Sequence, residues 1–116
     1  SWSYDLFEIA EYYLEYQRMM DHWHKLFPGE ILDLKYENLI NNQQDETECL
    51  LKYCGLEWEE QCLKFYETER SINTASSEQV RQPIYKGAMN AWKNYESHIG
   101  PLIETLEPVL SPEDLK

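Results

Sequence analysis

The chain has 116 residues, 42% hydrophobic and 14% aromatic, which is enough apolar material for one domain with a core and too much for a disordered segment. Twenty-two acidic residues against 10 basic ones give a net charge of −12, a field that repels the phosphates of DNA, RNA and anionic membranes. No run of about 18 apolar residues occurs, so no membrane span is expected.

The opening Ser1-Trp2-Ser3-Tyr4-Asp5 has neither the basic nor the apolar region of a signal peptide, and it begins on Ser, so the chain reads as a soluble cytoplasmic fragment of a larger protein. Leu6, Ile9, Tyr13, Tyr16, Met20, Trp23 and Phe27 recur every three or four residues and predict a long amphipathic helix over 5–27, its aromatic stripe facing the core. Asp5 and Glu8 are spaced as a capping box, and Pro28-Gly29 ends the helix. His22 and His24 stand two apart and point to different sides of that helix, so no metal site is expected there.

Residues 30–36, Glu30-Ile31-Leu32-Asp33-Leu34-Lys35-Tyr36, carry the composition of a short strand bounded by turn and polar residues. A single strand cannot satisfy its own backbone, so its partners are expected in a second copy or in other sequence. Residues 45–66 predict two helices, the first with Cys49, Leu50, Tyr53 and Cys54 on one face and a stop at Gly55, the second with Trp58, Cys62, Phe65 and Tyr66 together and Glu57, Glu59 and Glu60 at its start. The three cysteines are odd in number and form no CxxC pair; reduced, half-buried thiols are expected, with no disulfide framework and no zinc.

Residues 68–92 form a long aperiodic loop followed by a short helix at 88–92. This segment gathers Ser76, Ser77, Gln79, Arg81 and Gln82 with Gly87: neutral donors, a planar guanidinium fork and a backbone that permits close approach, which is the equipment for holding an anion such as a phosphate. Between Arg70 and His98 the charge is +2, against −14 for the rest of the chain, so one basic island sits in an acidic body. An enclosed small-anion site and a chance cluster on a solvated loop both fit that island. A terminal helix is predicted over 100–110 with Pro101 in its first turn, and no repeat of 20 to 50 residues is present.

At Val80-Arg81-Gln82-Pro83-Ile84-Tyr85, with Trp92 downstream, the chain resembles the C-terminal part of sulfotransferases that use 3′-phosphoadenosine 5′-phosphosulfate (PAPS), in the protein-tyrosine sulfotransferase-like branch. The long helix to Phe27-Pro28-Gly29, the stretch from Ile31 to Leu39 and the helix ending Cys54-Gly55-Leu56 follow in that family's order. The resemblance implies the C-terminal portion of a P-loop-like α/β fold, mainly α as an isolated chain, with about four helices and one short strand in a single domain fragment. It implies PAPS as co-substrate, no metal, and a hydroxyl-bearing acceptor: protein tyrosine, carbohydrate or small molecule.

By the same resemblance Ser76 is the candidate catalytic hydroxyl, placed to donate where charge develops on the transferring sulfonate. Tyr36 packs on the adenine or, equally, fills a core position, while Ser76, Ser77, Gln79, Val80, Arg81, Gln82, Pro83, Ile84 and Tyr85 line the nucleotide. The family's phosphosulfate loop and catalytic base would lie upstream, leaving this chain inactive alone. Family members commonly carry a cation before the tryptophan; here Ala91 precedes Trp92, with Lys86 or Lys93 as substitutes. A degenerate, ligand-binding remnant and an acidic helical protein-interaction module using Trp2, Trp23 and Trp58 are the alternative readings. Apolar surface left uncovered in the isolated chain predicts a homodimer or marginal stability.

Overall fold

The longest helix, α1 (Leu6–Leu26), starts because Asp5 turns an extended backbone into it and accepts from the amides of Phe7 at 2.9 Å and Glu8 at 3.1 Å. It ends where Gly29 takes φ +78, a conformation Gly adopts without steric cost. The computed structural model describes residues 5–116, so Trp2, one of the interface candidates, lies outside the described residues. After α1 come α2 (Tyr36–Asn41), α3 (Gln43–Tyr53), 3₁₀ segments at Glu60–Glu67, Gln79–Arg81 and Ala91–His98, then α4 (Gly100–Leu106) and a last 3₁₀ turn at Glu107–Val109. The mainly α expectation therefore holds. The helix expected over 100–110 keeps Pro101 in its first turn and tightens to 3₁₀ near its end; where a short helix is expected over 88–92, residues 87–90 form a turn and the 3₁₀ segment Ala91–His98 begins only after it.

The chain divides into two compact units, residues through Ile31 with Asn90–Lys116, and Leu32–Met89. In the first, α1 packs against α4. The half-buried positions of α1 are Leu6, Ile9, Leu14, Gln17, Met20 and His24, with Ala10 fully buried. That stripe is rotated from the expected aromatic one: Tyr13, Tyr16, Trp23 and Phe27 remain between 39% and 51% exposed. The small Ala10 permits close approach and so sets the contact face, where the bulkier rings would hold a neighbour away.

In the second unit, α2 buries Ile40. Helix α3 stops in a Schellman arrangement: Gly55 sits at φ +70, its amide donates to Lys52 O at 3.1 Å and the Leu56 amide to Leu51 O at 2.8 Å. The face expected from Cys49, Leu50, Tyr53 and Cys54 is exposed; the half-buried residues are Gln43, Glu46, Thr47 and Leu51. Cys49 and Cys54 are thus exposed free thiols and Cys62 a half-buried one. Gln43 Nε2 donates to Leu63 O at 3.5 Å, tying α3 to the Glu60–Glu67 segment, which kinks at Lys64.

The strand expected over 30–36 is not formed. Residues 31–35 run without regular structure, Lys35 is extended, and Tyr36 begins α2. No strand occurs among the described residues, so no ladder is there to fix this aliphatic run as one. No helix among the described residues is long and apolar enough to cross a membrane.

Candidate functional site

The segment singled out for anion binding lies within the second unit and is held by its own polar groups. Arg81, in the 3₁₀ turn Gln79–Arg81, donates from Nη2 to the Arg70 carbonyl at 3.2 Å and from Nη1 to the Thr68 carbonyl at 3.4 Å. The loop from 68 to 81 is thereby closed on itself. Gln79 Nε2 donates to the Tyr85 hydroxyl at 3.2 Å, closing a second, smaller bend around Pro83. The Tyr85 ring lies over Gly87, where an added Cβ would meet Cδ2 at 3.4 Å.

Inside the first bend the backbone turns twice, with Ser77 N donating to Thr74 O at 3.1 Å and Val80 N to Ser76 O at 3.0 Å. Ser77, Val80 and Ile84 are half-buried, while Ser76, Gln82 and Pro83 are exposed.

The site residues expected from sequence divide into two groups. Gln79, Arg81 and Tyr85 spend their polar atoms on the segment's own framework. The hydroxyls of Ser76 and Ser77, the Gln82 amide and the ammonium of Lys86 make no side-chain hydrogen bond or ion pair among the described residues. Tyr36 is at the first position of α2, 49% exposed, so the core role weighed for it is not the one it fills here.

Sequence reasoning missed the carbonyls of Thr68 and Arg70 as receptors for Arg81, since they lie 13 and 11 residues away and no side-chain pattern marks them. Next to that anchor, Gln61, Lys64, Glu67 and Thr68 line a hollow of about 290 Å³; Lys64 reaches it from the kinked position.

In the other unit, Trp92 is half-buried. The Lys93 ammonium stands 5.9 Å from its ring centroid and also donates to the Lys116 carbonyl, so Lys93 is already engaged there.

The profile of the sulfotransferase family matches residues 1–60. An uncharacterized protein from Aquifex aeolicus (strain VF5) is 39% identical over 105 residues, which cover 90% of this chain and 14% of that relative. No solved structure matches the chain. The family match takes in α1, α2 and α3, more than half of the chain, and the chain belongs to the sulfotransferase family.

Proposed function

We propose that the protein carrying this chain transfers a sulfuryl group from PAPS to a hydroxyl acceptor, in the manner of the protein-tyrosine sulfotransferase-like branch, and that this chain supplies the C-terminal cap over the nucleotide. In the step, the bond from sulfur to the bridging phosphate oxygen breaks, a bond from sulfur to the acceptor oxygen forms, and the acceptor hydroxyl gives up its proton to a base carried elsewhere in the protein. Ser76 donates to the charge that develops as the bridging bond opens. Ser77, Gln79, Val80, Gln82, Pro83, Ile84 and Tyr85 border the nucleotide, and Tyr36 offers a ring to the adenine. The isolated chain is inactive because sulfuryl transfer depends on many positioned donors acting together.

Family membership supports the chemistry. The observation that carries the site is the set of uncommitted donors, Ser76, Ser77, Gln82 and Lys86, on a segment braced by Gln79 and Arg81. The test is calorimetric titration of the chain with adenosine 3′,5′-bisphosphate, the product lacking the sulfonate, beside Ser76→Ala. Binding that Ser77→Ala and Gln82→Ala weaken supports the cap; absence of binding up to millimolar ligand removes the cap from this chain.

The remnant reading, a protein that binds nucleotide without turnover, is favoured by one observation: the ammonium of Lys93, which follows Trp92, stands over that ring, 5.9 Å from its centroid. Binding without sulfuryl transfer in the full-length protein would select it. The exposed aromatic residues of α1 support a homodimer of the isolated chain.

A further inference from the structure

We infer that Arg81 is a positioning residue, a clasp that sets the shape of the 68–81 loop, and that it acts on the nucleotide through the loop without touching a phosphate. This rests on the nucleotide-cap reading above. Both terminal nitrogens of its guanidinium are directed at main-chain oxygens, Nη1 at Thr68 and Nη2 at Arg70. A planar fork can reach two carbonyls two residues apart at once, and its positive charge strengthens each bond. A lysine carries its three donors on one nitrogen and lacks the fork that meets the two carbonyls from separate nitrogens. Moving the guanidinium to a phosphate would strip both carbonyls and open the loop that carries Ser76 and Ser77.

The backbone of Arg70 is pinned by the same contact while its side chain is exposed and makes no polar contact among the described residues. The clasp therefore presents a second guanidinium, that of Arg70, from a fixed point of the chain. Arg81 supplies the geometry and Arg70 the free charge.

The experiment compares adenosine 3′,5′-bisphosphate binding by Arg81→Lys, Arg81→Gln and Arg70→Gln at several salt concentrations, with amide hydrogen exchange of the ligand-free chains. A clasp predicts that Lys and Gln at position 81 lose affinity equally, about tenfold, with the salt dependence of the parent, and that exchange quickens within 68–81 in both. Arg70→Gln should lose affinity with a shallower salt dependence and unchanged exchange. Affinity retained by Arg81→Lys and lost by Arg81→Gln, with a shallower salt dependence, would mean that position 81 needs only charge and would overturn the clasp. If the parent chain does not bind the bisphosphate, the nucleotide reading fails by itself, and exchange in the ligand-free variants decides the clasp: faster in both supports it, unchanged overturns it.

Discussion

Gln79 and Tyr85 are joined across 3.2 Å, amide to phenol, and the Tyr85 ring stands where a Cβ added at Gly87 would meet it at 3.4 Å. The bond is exposed, so its removal is expected to cost less than about 1 kcal/mol of stability. Tyr85→Phe keeps the ring over Gly87 and frees the Gln79 amide. The expected outcome is a nearly unchanged melting temperature with faster amide exchange confined to residues 79–87. An equal change throughout the second unit would show that this bend is not a separate feature.

Gly55 and Gly100 should respond oppositely to the same substitution. Nothing lies within 4 Å of a Cβ built at either, so packing does not separate them. Gly55 sits at φ +70 in the stop of α3, and Gly55→Ala is expected to destabilise by about 1 kcal/mol. Gly100 begins α4 in a conformation open to any residue, and Gly100→Ala should gain about half a kcal/mol by restricting the unfolded chain. Urea denaturation of both variants checks the pair; the same sign for both would refute the backbone argument.

Loss of the Asp5 cap should be felt along α1. Asp5→Ala removes the acceptor of two amides and is expected to cost about 1 kcal/mol, and Asp5→Asn should recover most of it. Helical circular dichroism during thermal melting provides the measurement.

On α1, Tyr16 is 43%, Met19 51%, Trp23 39% and Leu26 54% exposed, at spacings that place them along one side. The isolated chain is expected to self-associate with rising concentration despite its charge, and Trp23→Lys to shift it toward monomer. Sedimentation at several concentrations reads the outcome; a monomer at every concentration would show that net charge outweighs this apolar side.

The helices were legible where single residues punctuate the chain. Asp5, Pro28-Gly29, Gly55 and Pro101 stand at the observed helix ends. What could not be read was the orientation of a helix once formed. Ala10, Gln17 and His24 lie on the covered side of α1, and a hydrophobicity pattern favours Tyr13, Tyr16 and Trp23 over them. Residues 30–36 showed the other limit: aliphatic composition describes a strand, but only a neighbouring ladder makes one. In the candidate site, Ser76, Ser77 and Gln82 were legible as free donors from type alone. The task of Arg81 was not, because its partners are backbone atoms far away in sequence.

That last feature governs how the loop can change over evolutionary time. A guanidinium that reads main-chain carbonyls is indifferent to the side chains at positions 68 and 70, so the clasp itself leaves position 68 free to drift, and an arginine at position 70 is kept for its charge alone. The number of residues between the anchor and Arg81 is not free in the same way, since one insertion or deletion would carry the carbonyls out of reach. Variation at this site should therefore appear among homologues as exchange of residue types within a loop of constant length.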